Sequence, residues 1–176
     1  PDTFTFWKDV LDEVCELFPS EYIHTGGDEA PKTKWEQCPK CQNLMKEVGA
    51  ADEHALQVVV TQEMEKHLAA KGRRLIGWDE IFEDGLSTSA AVMWWHKNKA
   101  KAILEKGNGM VVATSKSLYF DKCQAKDKST EPLCIGGFIS LEKVYGLEPV
   151  PEGVTAEQAK LVLGAQGPLW TEYIPT

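Results

Sequence analysis

Five short apolar segments, with no hairpin turn joining any two of them, constrain the fold of this 176-residue chain most. We expect these segments to be strands, at residues 22–27, 74–79, 90–95, 110–115 and 163–170. Amphipathic helices are predicted at residues 3–18, 52–72, 98–106 and 155–161, and a long polar loop is predicted from the end of the first strand to about Gly49. Short apolar strands that alternate with helices favour parallel βα units and an α/β fold.

Local signals support the two clearest helices. In the helix at 52–72 the apolar side chains recur at helical spacing, and Gly72 is a natural stop; the stripe consists of Leu56, Val59, Val60, Met64 and Leu68. Thr155 and Gln158 have the spacing of a capping box at the start of the helix at 155–161. These signals strengthen the prediction of regular βα alternation.

The charge balance excludes several classes of partner. The chain has 19 Lys and Arg against 27 Asp and Glu, a net charge of -8, and no basic run. Nucleic acids and anionic membrane surfaces require concentrated positive charge, so neither is expected as a partner. No stretch approaches the roughly 20 apolar residues of a membrane span. With 43% hydrophobic residues the chain can bury a core, and we expect residues 1–176 to form a single domain.

The five cysteines do not form the pattern of a disulfide scaffold, because their number is odd and the chain is not small. Cys38 and Cys41 form a CxxC motif. A structural zinc would need a second pair of ligands at matching spacing, which Cys123 and Cys134 do not provide. We therefore expect no metal and leave open whether Cys38 and Cys41 are two thiols or a local disulfide. The state of Cys123 and Cys134 is open as well.

Acidic or aromatic residues lie at the end of every predicted strand. Active-site residues of parallel βα proteins gather at the carboxyl ends of the strands. Aromatic faces stack on sugar rings and carboxylates accept from sugar hydroxyls, whereas a phosphate site would need glycine-rich amides with Lys or Arg. The composition therefore favours a carbohydrate pocket, built from the segments at 24–29, 77–80, 94–95, 119–121 and 170–173.

Several of these segments together resemble one enzyme family. Five motifs of the chain are HxGGDE at 24–29, GWDE at 77–80, the pair Trp94-Trp95, YFD at 119–121 and LWTEY at 169–173. In order and spacing they resemble motifs of family 20 glycoside hydrolases, the β-N-acetylhexosaminidases. The resemblance runs from about Phe6 to the end of the chain and is to bacterial members.

That family has a (β/α)8 barrel, which takes about 250 residues. The resemblance implies that the five strands correspond to the fourth to eighth, so we expect a partial TIM barrel, the C-terminal portion of a glycosidase catalytic domain. The first three strands and a substrate-binding Arg of the family have no counterpart in the chain. The chain is thus expected to be a fragment.

The resemblance also implies a mechanism without a protein nucleophile. Family members are retaining enzymes in which the 2-acetamido oxygen of the substrate attacks the anomeric carbon. Glu29 would be the general acid and then the base, and Asp28 would orient the acetamido group and stabilise the oxazolinium ion. Gly26-Gly27 would allow the turn that lets the two acids approach one sugar from different directions. Tyr119 would donate its hydroxyl to the acetamido oxygen, and no cofactor is implied.

Substrate-binding roles follow from the same resemblance. The acetamido group and the sugar ring would be walled by three tryptophans, namely Trp78, Trp95 and Trp170. Strand alternation allows only one of Trp94 and Trp95 to face inward, and the family pattern selects Trp95. Asp121 and Glu172 would bind outer hydroxyls, and His24 would supply a supporting hydrogen bond. Trp35 is expected either to line a further subsite or to pack on the surface.

Three alternatives remain open from the sequence. A sugar-binding module would keep the pocket without turnover, and a metal-stapled interaction domain would be built on Cys38 and Cys41. A chitinase-like hydrolase would show a DxxDxDxE run, which the chain lacks. The expected partners are glycans that end in N-acetylglucosamine or N-acetylgalactosamine. The compartment is not determined, although the resemblance favours the periplasm or cell surface. Open sheet edges predict self-association or a covering second chain, and weak or no activity of the isolated chain.

Overall fold

The computed structural model describes residues 2–96 and 98–174 of the chain. Five strands form one sheet in the order of the sequence, β1 (Tyr22–His24), β2 (Arg74–Trp78), β3 (Ala91–Trp94), β4 (Gly109–Val112) and β5 (Val162–Ala165). Strand β1 pairs in parallel with β2, and β4 pairs in parallel with β5. The predicted parallel α/β arrangement is therefore confirmed.

Seven α-helices connect or follow these strands in the described part of the chain. Their bounds are α1 (Asp2–Leu17), α2 (Thr33–Glu36), α3 (Pro39–Val48), α4 (Glu53–Ala70), α5 (Ala100–Lys106), α6 (Leu141–Tyr145) and α7 (Ala156–Ala159). None of the helices within residues 2–96 and 98–174 has both the length and the apolar character that crossing a bilayer requires.

The chain divides into two compact units, residues 1–92 and residues 93–176. Each unit has buried apolar residues of its own, for example Leu68 and Leu75 in the first and Ile103 and Met110 in the second. The expectation that residues 1–176 behave as a single domain remains a prediction.

Helix α4 organises the first unit. The carboxylate of Asp52 caps its start by accepting a 2.8 Å hydrogen bond from the backbone N–H of Ala55. Leu56, Met64 and Leu68 are buried, as their spacing predicted, and the helix packs against α1 and β2. Gly72 follows the helix with a φ of +70°, which is the left-handed conformation of a helix stop.

In the second unit, α5 and α7 pack together beside the β4–β5 pair. Ile103 and Leu104 of α5 are buried, as are Met110 and Val112 of β4. The predicted capping box at the start of α7 is confirmed. The Thr155 hydroxyl accepts from the backbone N–H of Gln158, and the Gln158 side chain accepts from the N–H of Thr155 at 2.8 Å.

Several predicted bounds were wrong: β1 ends at His24 instead of residue 27, and β4 ends at Val112 instead of residue 115. Two further segments differ more. The polar loop before Gly49 contains α2 and the ten-residue helix α3. Helix α3 has the start and stop that are typical of helices, Pro39 in its first turn and Gly49 with a φ of +69°. It buries only Met45 among its residues. Its apolar residues at 41, 44, 45 and 48 recur at helical spacing, but the segment is polar on average, and the prediction of a loop follows that polar composition.

The last strand is shorter than predicted and ends at Ala165 instead of residue 170. A Cβ on Gly167 would lie 2.1 Å from the ring of Phe120, and Pro168 has no N–H to donate to a ladder. Close packing and the missing donor therefore take the chain out of the sheet.

Candidate active site

The chain turns sharply where β1 ends. The Thr25 N–H donates to the Ile76 carbonyl at 2.9 Å, and the Trp78 N–H donates to the Gly26 carbonyl at 2.9 Å. Gly26 and Gly27 have φ values of +73° and +99°. A Cβ on Gly27 would lie 2.4 Å from the Cγ2 atom of Ile81. The turn therefore requires glycine for its backbone conformation and, at Gly27, also for space.

Asp28 and Glu29 follow this turn, and both are exposed. Glu29 has a φ of 44°, the one positive value at a non-glycine residue among the described residues. A left-handed conformation costs roughly 1–2 kcal/mol at a residue with a Cβ. The side chains of the two acids consequently do not follow the alternation of an extended strand, which would direct neighbouring side chains to opposite sides.

Two side chains that the sequence did not indicate support the turn. The Gln57 side-chain amide, on α4, donates to the Gly27 carbonyl at 2.8 Å. The Lys32 ammonium donates to the Ala30 carbonyl at 2.9 Å and to the Gln57 side-chain oxygen. Hydrogen bonds on both sides of Asp28 and Glu29 thus fix the backbone that carries them. The sequence does not indicate this role of Gln57, which is only a polar residue next to the buried Leu56.

His24 contacts both the turn and the second strand. Its Nδ1 accepts a 3.1 Å hydrogen bond from the Gly26 N–H, and its ring meets that of Trp78 edge-on, with centroids 5.2 Å apart. Desolvation of the ring lowers the pKa of His24 below its usual 6.5, and attraction to the Asp28 carboxylate partly opposes that shift. A neutral ring with its proton on Nε2 matches the accepting role of Nδ1.

Two residues at the end of β2 are buried. Trp78 is 8% exposed, and the next residue, Asp79, is fully buried in a short 3₁₀ turn, Asp79–Ile81. The sequence indicated Trp78 but assigned no role to Asp79. Carboxylates are rarely buried completely, so the burial of Asp79 marks it as a residue of interest. This burial is a property of the folded chain and cannot be read from the sequence.

Three aromatic rings cluster in the second unit. The Tyr119 ring is stacked with that of Trp95 at a centroid distance of 6.0 Å and an interplanar angle of 20°. The Trp170 ring lies 6.5 Å from that of Tyr119, at 54°. The structure thus brings together three of the predicted site residues. Trp94 lies in β3, where its carbonyl accepts from the Ala113 N–H at 2.8 Å.

The backbone explains how Trp170 reaches Tyr119. The Phe120 N–H donates to the Pro168 carbonyl at 2.8 Å, and Gly167 leaves room for the Phe120 ring. This hydrogen bond joins the loop after β4 to the loop after β5. It lies one residue from Tyr119 on the first loop and two residues from Trp170 on the second.

Asp121 lies in a cavity of about 220 Å³ beside Trp170 and Tyr173. Its Oδ1 atom is buried and makes no hydrogen bond within the described part of the chain. The backbone of the same loop is fixed by the Ile135 N–H, which donates to the Asp121 carbonyl at 3.1 Å, and by the Cys123–Cys134 disulfide. A buried acceptor without a donor is an exception among the polar groups of folded proteins. Glu172 is exposed and is not among the described residues that line this cavity.

A second cavity, of about 250 Å³, lies on another side of Tyr119 and Phe120. Its lining is mainly apolar and includes Ile139, Leu141 and Val144.

Trp35, the residue with two predicted alternatives, belongs to the first unit. It is half-buried, with the Lys32 ammonium 4.9 Å from the centre of its ring. Of the predicted site residues, the first unit thus holds Asp28 and Glu29 together with His24 and Trp78. The second unit holds the aromatic group of Trp95, Tyr119 and Trp170 together with Asp121 and Glu172.

Comparison with known proteins gives a consistent match. The family model described as glycosyl hydrolase family 20, catalytic domain, matches residues 1–176. A β-hexosaminidase of Porphyromonas gingivalis is 46% identical over 175 residues, which cover 98% of this chain and 22% of that protein. A β-hexosaminidase of Vibrio furnissii is 33% identical over 99% of the chain and 29% of its own length.

Solved structures match the fold as well. The exo β-N-acetylglucosaminidase of Vibrio harveyi, crystallised with N-acetylglucosamine, has a TM-score of 0.86 and 30% identity over 100% of this chain and 28% of that one. A β-N-acetylhexosaminidase of Bacteroides fragilis has a TM-score of 0.78 and 31% identity, over 97% of this chain and 35% of its own. The chain spans about a fifth to a third of these relatives. The predicted fold class, a partial (β/α)8 barrel with five parallel strands, is confirmed.

Proposed function

Because the chain belongs to glycosyl hydrolase family 20, we propose that the protein removes terminal β-linked N-acetylhexosamine from glycans by substrate-assisted, retaining hydrolysis. The observation that carries the proposal is the turn after β1. Two glycines with positive φ and a strained Glu29 present adjacent carboxylates at the end of a parallel strand. Such strain persists where the surrounding structure fixes it, and it is concentrated at functional sites.

In the proposed reaction the 2-acetamido oxygen of the substrate attacks the anomeric carbon. Glu29 donates a proton to the departing glycosidic oxygen, and the bond from that oxygen to the sugar breaks. Asp28 accepts from the acetamido N–H, which orients the group and stabilises the oxazolinium ion. Glu29 then takes a proton from the water that attacks the anomeric carbon and opens the oxazolinium ring. Two neighbouring carboxylates can divide these tasks because the turn removes the strict alternation of a strand.

Residues of the second unit supply binding in this proposal. The Tyr119 hydroxyl donates to the acetamido oxygen, and the stacking of Tyr119 with Trp95 supports a fixed position for that hydroxyl. The faces of Trp95 and Trp170 pack on the sugar, and Trp78 has the corresponding role in the first unit. Asp121 is proposed to accept from a sugar hydroxyl, and its place beside Trp170 in the lining of the same cavity supports that role. Glu172 is proposed to bind a second hydroxyl, and His24 to support the turn.

The decisive experiment is Glu29→Gln in the whole protein that carries this chain, with p-nitrophenyl-N-acetylglucosaminide as substrate. We expect kcat to fall by roughly 100- to 10,000-fold, which is the usual contribution of general acid–base catalysis. Binding of a thiazoline inhibitor should be retained. Glu36→Gln, at an exposed acid of α2, is the matched control and should leave kcat unchanged. Full turnover by the Glu29 variant would refute the assignment.

The same assay distinguishes the proposed hydrolase from the alternative, a carbohydrate-binding fragment without turnover. We expect the isolated 176-residue chain to hydrolyse the substrate weakly or not at all, because it spans 22% and 29% of two β-hexosaminidases that it matches. The isolated chain should still bind the inhibitor weakly through its aromatic group. Full activity of the chain alone would contradict this expectation.

We also propose that other protein surface covers the outer strands of the sheet. Strands β1 and β5 stand at the two ends of the strand order, and each pairs with one neighbour within the described residues. Unpaired strand edges promote association. Sedimentation of the isolated chain should therefore show self-association, and a monodisperse monomer with cooperative melting would argue against it.

A further inference from the structure

The CxxC segment lies at the start of helix α3, away from the residues assigned above. Cys38 is the N-cap residue, in extended conformation with φ of -90° and ψ of 113°, and Cys41 lies in the first turn. Both are half-buried, and neither forms a disulfide. The Cα atoms of residues three apart in a helical turn lie about 5 Å from each other, which is within the Cα–Cα span of a disulfide.

Backbone contacts fix both ends of the segment. The Cys38 N–H donates to the Trp35 carbonyl at 3.2 Å, and the Cys38 carbonyl accepts from the Gln42 N–H at 3.0 Å. The Gln42 side chain also donates to the Trp35 carbonyl at 3.0 Å and to the Glu53 carboxylate at 2.8 Å. These bonds tie α3 to the segments before and after it. The backbone that carries the two cysteines is consequently held in place on both sides.

The two thiols are electrostatically unequal. The backbone N–H of Cys41 lowers the pKa of the Cys38 thiol most, followed by the Cys41 thiol and then by the N–H and charge of Lys40. The pKa of the Cys41 thiol is raised, first by its hydrogen bond with Cys38 and then by desolvation. Cys38 is therefore the thiol that ionises first, and Cys41 keeps its proton. This division of roles is typical of a dithiol with one attacking and one resolving sulfur.

A metal clamp is a poorer interpretation of the same residues. Within residues 2–96 and 98–174, no group of three His, Cys, Asp or Glu side chains that could hold an ion includes Cys38 or Cys41. Zinc in a structural site takes four ligands. Two thiols without further ligands are suited instead to forming a bond with each other.

We propose that Cys38 and Cys41 form a thiol–disulfide exchange site that takes low-molecular-weight disulfides. The Cys38 thiolate attacks one sulfur of the small disulfide, forms a mixed disulfide and releases one small thiolate. Cys41 then gives up its proton and attacks the Cys38 sulfur, which closes the Cys38–Cys41 bond and releases the second small thiol. The protein dithiol is oxidised by two electrons, and the small disulfide is reduced to two thiols.

The test is to treat the reduced protein with oxidised glutathione under native conditions and map the products by mass spectrometry. We expect a Cys38–Cys41 disulfide without accumulation of a mixed disulfide. In a Cys41→Ser variant, a stable glutathione adduct should collect on Cys38. Cys38 should react faster than Cys15, the other free cysteine outside the pair, because its lowered pKa gives it more thiolate.

Cys15→Ser is the matched control and should leave the exchange at Cys38 and Cys41 unchanged. If the Cys41→Ser variant does not fold, differential alkylation of the unaltered protein decides the matter, because the same peptides report the rates at all three free cysteines. Equal rates at Cys15 and Cys38, or a stable adduct on Cys38 while Cys41 is intact, would overturn the proposal.

Discussion

The side-chain amide of Gln57 donates a 2.8 Å hydrogen bond to the carbonyl oxygen of Gly27, directly before Asp28 and Glu29. Helix α4 thereby fixes the turn from a position 30 residues along the chain. Gln57→Ala should lower stability by about 1 kcal/mol, since a partly buried carbonyl loses its donor. Misplaced acids should lower kcat roughly 10- to 100-fold in the whole protein. Urea unfolding and steady-state kinetics measure the two effects.

Gln62 is the control for this substitution. It lies on the same helix, and its amide donates a 2.8 Å hydrogen bond to the Gly85 carbonyl, away from the acids. Gln62→Ala should have a similar or smaller effect on stability and none on kcat. Equal kinetic losses in the two variants would show that the Gln57 effect is not specific to the turn.

Gly27→Ala should destabilise the protein by about 3 kcal/mol, because strain and overlap add at this position. The backbone has a φ of +99°, and the new Cβ would lie 2.4 Å from the side chain of Ile81. Overpacking of this kind typically costs 1–3 kcal/mol, and a positive φ adds about 1 kcal/mol. Gly49→Ala is the matched control, with a φ of +69° and open space around the new Cβ. It should cost about 1 kcal/mol in urea unfolding, and equal costs would contradict the overlap.

The titration of His24 should make stability depend on pH. Its pKa lies below 6.5 in the folded protein, so the unfolded chain binds a proton first as the pH falls. Stability from this residue is therefore complete above pH 6.5 and decreases as the pH falls toward the lowered pKa. Urea unfolding of the His24→Asn variant should show a smaller decrease in the free energy of unfolding as the pH falls below 6.5.

The same residue provides a direct test by NMR. Attraction to Asp28 raises the pKa of His24 against the larger effect of desolvation. Asp28→Asn should consequently lower the pKa of His24 further in an imidazole titration. A rise in that pKa would show that the Asp28 carboxylate does not face the ring.

Loss of the Cys123–Cys134 disulfide should destabilise the loop that carries Asp121. The two cysteines are 11 residues apart, and closing a loop of that length contributes about 3 kcal/mol. Cys134→Ser is the better variant, since Cys123 is 1% exposed and its sulfur would remain in place. Urea unfolding should show the loss, whereas Cys15→Ser, which breaks no disulfide, should not. Comparable stability of the two variants would argue against the bond.

Most of the fold could be predicted because its strands are apolar runs bounded by glycine or polar residues. The prediction was least accurate in two places, for different reasons. Helix α3 has apolar residues at helical spacing within a segment that is polar on average, so a prediction from composition misses it. The end of β5 depends on the packing of Phe120 against Gly167, two residues that are 47 positions apart in the sequence.

The site was predictable to the extent that it consists of contiguous motifs. Asp28 and Glu29 are neighbours, and the need for a turn followed from Gly26 and Gly27. The contribution of Gln57 could not be foreseen, because it depends on how α4 lies against the turn. The pairing of Cys123 with Cys134 likewise depends on a loop that folds back, as the hydrogen bond from the Ile139 N–H to the Cys123 carbonyl shows.

The left-handed backbone at Glu29, with a φ of 44°, has a consequence for laboratory evolution. Glycine or asparagine adopts this conformation more readily than glutamate does. A library selected only for thermal tolerance should accumulate those residues at position 29, and it would remove the proposed proton donor while improving the melting temperature. Selection schemes for this chain therefore need to screen turnover alongside heat resistance, because stability and activity make opposite demands on this one residue.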